Sequence, residues 1–163
     1  MGLTAQAAFW FLPAVIPIAI YVSWSDMSAM KIPNKAVYAL VISYAVLGLI
    51  ALPVQTYLWQ WSHLIVMLVV GILLNAARVM GAGDAKFIAA AAPMFALSDL
   101  RFVLILFAAC LLGGFATHRL ARYTPLHKAV PDWDSWKTGK RFPMGFPLSM
   151  TLVFYLVLVA VYR

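Results

Sequence analysis

Two aspartates sit where an apolar chain has little reason to keep them. Asp26 closes the stretch IAIYVSWSD, and Asp84 lies in RVMGAGDAKFI between two long apolar runs. Ionisable groups at membrane depth are costly and usually functional. Two carboxylates brought together cannot both ionise easily. One keeps its proton and serves as acid, while the other activates a water as base. That is the amide-hydrolysing chemistry of aspartic proteases. It uses no metal ion, no cofactor and no nucleophilic serine or cysteine, so neither a cofactor nor a metal is expected. The sequence offers no good competing constellation. Cys110, the single cysteine, lies in an apolar run and reads as a small buried hydrophobe. There is no CxxC pair of the kind that holds structural zinc.

Each of these residues also has a plainer reading. Asp84 could be the N-cap of a following helix, with Gly81 and Gly83 only making the turn. Asp26 could be a solvated helix end, and Lys86 a topology charge snorkelling to the interface. Asp99, beside Arg101, reads as a solvated loop charge. If the carboxylates do work as a pair, their neighbours gain roles. Gly81 and Gly83 would let a substrate backbone or the first helix approach closely. The start of the fourth helix would stabilise an ionised Asp84 through its partial positive field. Lys86 would add to that field or meet substrate carbonyls. Pro33 should stop the first loop from continuing as helix, and Asn34 should cap the second helix.

The elements that must position these residues follow from composition. Of 163 residues, 65% are hydrophobic and 10% charged, against about 45–50% and about 25% in soluble domains. The mean hydropathy is +0.93. This marks an all-α integral membrane protein. Six apolar segments are expected, at roughly 5–24, 36–52, 58–77, 83–98, 102–118 and 142–162. Pro13 and Pro17 are expected to kink the first. Pro93 interrupts the fourth, which could instead be a re-entrant hairpin. No Lys or Arg precedes Lys31, so the first segment lacks the basic flank of a signal peptide.

The charges set the orientation. With six spans and both termini outside, ten of the twelve basic residues fall in cytoplasmic loops. If the fourth segment did not span, the basic stretch 119–141 would lie outside, against the positive-inside rule. The net charge of +7 is thereby explained without nucleic acid. Trp24 fits the inner interface, and Trp59 and Trp61 the outer one. Asp26 and Asp84 then share one membrane depth, at the cytoplasmic face. No repeat or linker divides the chain, so residues 1–163 read as one polytopic domain.

The two local contexts together resemble the prepilin peptidases, membrane aspartic proteases that carry a Gly-x-Gly-Asp motif. Asp26 is followed by Lys31, Ile32, Pro33 and Asn34, like the family's basic residue and Ile-Pro-Asn after the first catalytic aspartate. Gly81, Gly83, Asp84 and Lys86 resemble its second motif. FPMGFPLS, at 142–149, resembles a Pro-x-Gly element near the last helix, through Pro143 and Gly145. The resemblance implies catalysis by Asp26 and Asp84, supported by Gly81, Gly83, Lys86, Lys31, Pro33 and Asn34. It implies substrate contacts at Pro143 and Gly145. The expected activity is removal of a basic leader from a prepilin or pseudopilin at the bacterial inner membrane, alongside the pilus assembly machinery. Asp132 and Asp134 would then attract the leader or be simple solvated loop acids. The chain starts directly with its first span and lacks the paired cysteines of the long family members. It therefore resembles the short tight-adherence (Flp) form, with no methyltransferase activity implied. Met27 and Ser28 are less basic than the family pattern. Two other classes stay open: a small proton- or ion-coupled transporter using both aspartates, and a non-enzymatic pilus assembly subunit.

Overall fold

The computed structural model describes residues 2–137 and 142–163. Lys140 and Arg141, counted above among the basic loop residues, lie outside the described residues. Among the described residues, eight α-helices follow in order: α1 (Ala5–Ala29), α2 (Asn34–Ala51), α3 (Val54–Ala76), α4 (Ala82–Ala91), α5 (Leu100–Ala121), α6 (Pro125–Ala129), α7 (Asp134–Lys137) and α8 (Gly145–Tyr162). Among the described residues, α1, α2, α3, α8 and the stretch 97–121 containing α5 are long and apolar enough to cross a bilayer. The chain is a multi-pass membrane protein.

Local chemistry sets the helix limits. Thr4 Oγ1 accepts a hydrogen bond from Ala7 N–H at 3.2 Å and caps α1. The helix then runs on through Pro13 and Pro17, which membrane helices tolerate because neighbouring elements satisfy the freed backbone. It extends five residues past the apolar stretch and stops at Met30, whose backbone is left-handed (φ 52°). Pro33, extended at φ −68° and ψ 139°, takes the cap position of α2. Asn34 is therefore the first helical residue, not the cap expected from the sequence, and its side chain is free for another partner.

Most of the interior lies between α1 and α8, which pack along their length. Phe11, Val15 and Val22 meet Leu152, Tyr155 and Leu156, with Leu40 and Tyr44 of α2 and Phe87 of α4 completing the core. Helix α4 sits against α3, α2 and α8. Helices in lipid gain little from hiding apolar surface against one another, so close backbone approach matters more. At Gly71 of α3 an added Cβ would lie 2.9 Å from the Cβ of Ala85, so only glycine fits. The outward sides of α3 and α5 stay greasy, with Ile65, Ile72, Leu104, Ile105 and Leu112 exposed. Acyl chains are the natural neighbours of such faces.

The fourth segment differs from the expected helix. Helix α4 has 10 residues, about 15 Å at 1.5 Å per residue, against a hydrocarbon core of about 30 Å. The chain then makes 3-10 turns at Ala92–Met94 and Leu97–Asp99, joined by extended residues. Pro93 is the physical reason, because it offers no N–H to continue the helix. The broken backbone is covered by protein: Met94 and Ala96 are buried, and Ala96 N–H donates to Tyr155 Oη at 3.3 Å. The segment does not fold back as a hairpin. It begins beside Asp26, near the end of α1, and finishes at Asp99. There Arg163 binds both the Asp99 carboxylate and the carbonyl of Leu3, just before α1.

Asp99 is not the solvated loop charge that its neighbour Arg101 suggested. It is 6% exposed, and its carboxylate takes two bonds from Arg163, at 2.7 and 2.8 Å. Tyr155 Oη donates a third bond at 2.8 Å, and the Ser98 hydroxyl lies 3.3 Å from the other oxygen.

Candidate active site

Helix α1 carries Asp26 four residues before its left-handed end, on the side that faces α8. The side chain is 5% exposed. One oxygen, Oδ2, accepts a 2.6 Å hydrogen bond from the backbone N–H of Gly145, the first residue of α8. A Cβ at position 145 would come within 3.0–3.1 Å of the Asp26 side chain. Glycine is there because the carboxylate occupies the space a side chain would take.

Asp84 is the third residue of α4, and Gly81 is the cap. It is therefore not an N-cap. Its carboxylate turns back toward Gly81, from the third-residue place that a capping box uses. A Cβ on Gly81 would lie 2.8 Å from Asp84 Oδ2. Gly81 thus makes room for the aspartate itself. Gly83 faces Ile32, where a Cβ would make an ordinary 3.4 Å contact.

Both carboxylates line one cavity of about 980 Å³. Its walls include Ser25, Lys31, Asn34, Arg78, Phe142 and Met144, with the 78–84 stretch along one side. Lys86 Nζ donates to Asn34 Oδ1 at 3.3 Å, tying the Lys-Ile-Pro-Asn stretch to the Gly-Ala-Gly-Asp stretch across 52 residues. The Ser25 hydroxyl donates to the Lys31 carbonyl at 2.9 Å and folds the α1–α2 connection against α1.

The candidate residues thus separate into four groups. Asp26, Asp84, Gly81, Gly83, Lys31, Pro33 and Asn34 all line the cavity. Lys86 reaches its edge through Asn34. Pro143 is buried and Gly145 is packed behind Asp26, so neither forms a wall of the cavity; Phe142 and Met144, on either side of Pro143, do. Asp132 and Asp134 are exposed in the α6–α7 region.

Sequence reasoning passed over Met30, Arg78, Phe142 and Met144. It also passed over an aromatic relay beside the cavity. Trp24 of α1 meets Trp133 at 5.4 Å, Trp133 stacks on Trp136 at 6.0 Å, and Trp136 stacks on His118 of α5 at 4.6 Å. His118 in turn meets Phe142 edge-on at 5.7 Å. Trp136 Nε1 donates to the Val130 carbonyl at 2.9 Å. The stretch read as a polar loop is therefore laid across the helix ends by its tryptophans. The spacing of Trp133 and Trp136 was the available signal.

Two acids in one cavity, one of them seated by a backbone N–H, suit hydrolysis by acid–base action. The model of the type IV leader peptidase family matches residues 14–118, about two thirds of the chain and both aspartate motifs. No curated protein and no solved structure matches the chain significantly.

Proposed function

The chain belongs to the type IV leader peptidase family, and on that premise we propose that Asp26 and Asp84 are its catalytic pair. It is an aspartic endopeptidase, and removal of prepilin leaders is the activity its family carries. The observation that supports the pairing is the shared cavity: two carboxylates 58 positions apart in sequence line one space. One carboxyl, ionised, takes a proton from water as the water oxygen adds to the scissile carbonyl carbon. The other, protonated, donates to the carbonyl oxygen. When the carbon–nitrogen bond breaks, the pair returns a proton to the leaving amine. The two titrate as a unit.

The remaining residues serve that pair. Gly145 holds Asp26 through its N–H and Gly81 leaves room for the Asp84 carboxylate, with Pro143 fixing the approach to α8. The Lys86–Asn34 bond holds the two motifs in register, and Pro33 sets the exit from α1. Lys31 is a wall of the substrate cavity.

The topology belongs to the same proposal. Six crossings, with both termini outside and the cavity at the cytoplasmic face of the inner membrane, are supported by the distribution of basic residues. The course of the fourth segment, from Asp84 at one end of α1 to Asp99 at the other, agrees with that count. The substrate's basic leader then lies on the cytoplasmic side and its apolar helix in the bilayer, with pseudopilins cut in the same way. A tight-adherence pilus system, with its assembly machinery as partner, belongs to the same proposal.

The test is cleavage of a prepilin by purified protein in lipid, followed by mass, for wild type, Asp26→Asn and Asp84→Asn. Asparagine keeps size and hydrogen bonding but neither gives nor takes the proton. A single cut by wild type and none by either folded variant supports the pair. Normal cutting by both variants sinks it.

A further inference from the structure

Two non-glycine residues among those described have a positive φ, and both line the catalytic cavity: Met30 at 52° and Arg78 at 59°. Each stands at the end of a helix, where glycine is the usual occupant because it has no Cβ to strain. Arg78 occupies that place in full. Its N–H bonds the Asn75 carbonyl at 2.9 Å, and the following Val79 N–H bonds the Leu74 carbonyl at 3.0 Å. That pattern of bonds is the one that closes a helix on a left-handed residue. The turn is braced further by Asn75 Nδ2, which donates to the Met80 carbonyl at 2.9 Å. Met30 closes α1 on the carbonyl of Asp26 itself, at 2.9 Å.

Helix termination does not explain the side chains. Glycine would end both helices with less strain. Left-handed backbone at bulky residues persists where the surroundings enforce it and tends to gather at working sites. Here both cases open onto one cavity, from the exit of α1 and from the exit of α3. The Arg78 guanidinium has no hydrogen bond or ion pair to any described residue, so its five donors are unassigned.

We infer that Met30 and Arg78 are substrate-positioning residues, held in strained caps so that their side chains grip the segment around the scissile bond. A peptide bond inside a helix is shielded by its own turn, so the segment must be unwound to be cut. Unwinding leaves main-chain carbonyls without partners at the edge of an apolar environment, where each is costly. Arg78 supplies donors to those carbonyls. Met30, with a flexible thioether chain, packs against the apolar flank of the same segment and adapts to its shape. Among the described residues, two cations, Lys31 and Arg78, line this cavity. The part of the substrate passing them is therefore the unwound, uncharged stretch and not the basic leader.

The inference rests on the cavity being the peptidase site, and its test separates the two. Arg78→Gly, Arg78→Asn and Met30→Gly are assayed for cleavage of a full-length prepilin in lipid, beside Asp26→Asn and Asp84→Asn. Glycine and asparagine both accept left-handed backbone, so the variants keep the fold and their Tm holds or rises. For the Arg78 variants KM rises about 10-fold or more with kcat nearly kept, the effect of losing a charged hydrogen bond made equally in ground and transition states. For Met30→Gly the rise is about 5-fold. Arg78→Lys, which keeps a cation with three donors, falls between wild type and Arg78→Gly. A wild-type KM in the glycine variants overturns the inference, as does a lowered Tm, or a loss of kcat at constant KM. Those results leave the catalytic pair intact if the two asparagine variants are dead. Active asparagine variants overturn the pair and the inference together.

Discussion

The bundle has a buried aspartate near each end, and the two are hidden to the same degree. Asp26 is 5% exposed and Asp99 is 6% exposed. Their surroundings differ. Asp99 has two bonds from Arg163 and one from Tyr155, with the Ser98 hydroxyl beside it. Asp26 has one backbone bond, from Gly145, and otherwise borders a cavity that also holds Asp84. Burial alone therefore does not mark a reactive carboxylate. A charge with a full set of donors is quiet and holds helices together. A charge with one donor and an open side is placed to meet something else.

The largest break in that comparison comes from removing the acids in turn. Asp26→Asn or Asp84→Asn should lower the cleavage rate by about 10²–10⁴-fold, the usual weight of a positioned acid or base, with the melting temperature little changed. Asp99→Asn should do the reverse. Next in size is Gly145→Ala. The methyl group would press on the Asp26 carboxylate and displace it, and a misplacement of about 1 Å costs on the order of 100-fold in rate. Single-turnover cleavage would read this directly.

Asp99→Asn, by contrast, should cost about 1–3 kcal/mol of stability, because Arg163 and Tyr155 lose a charged acceptor. Denaturation in detergent would show it, while cleavage per folded molecule stays near wild type. The pH dependence sharpens the contrast. Cleavage should fall on both sides of an optimum, since a pair with one proton is lost by gaining or losing one. That profile should be the same in Asp99→Asn, and a shifted optimum would mean that the two ends are coupled. The smallest effect is expected from Lys86→Met. The bond to Asn34 is exposed and 3.3 Å long, so its loss should cost about 0.5–1.5 kcal/mol, roughly 2- to 10-fold in rate.

What the sequence revealed followed from how local each signal is. Hydropathy alone located the five long helices, with limits a few residues off. The first was expected to end near residue 24 but runs to Ala29, because SDMSA is polar and yet continues the backbone ladder to Met30. Asp26 and Asp84 were legible because each carries its motif within a few residues. Asp99 was misread because its partners, Tyr155 and Arg163, lie 56 and 64 residues away while Arg101 lies two. Asn34 looked like a cap because asparagine favours that position, but Pro33 had already taken it and Lys86 claimed the amide. Pro93 did announce a break in the fourth segment. How the broken stretch is sheltered depends on Tyr155, which no local pattern points to.

The bond between Gly145 and Asp26 also says something about time. The two residues are 119 positions apart, and ribosomes add about 5–20 residues per second. Asp26 therefore leaves the ribosome roughly 6–24 s before the glycine that will hold it. Throughout that interval the nascent chain carries a carboxylate with no seat. Docking of α8 is thus a maturation step: until it occurs, Asp26 lacks the backbone donor that seats it.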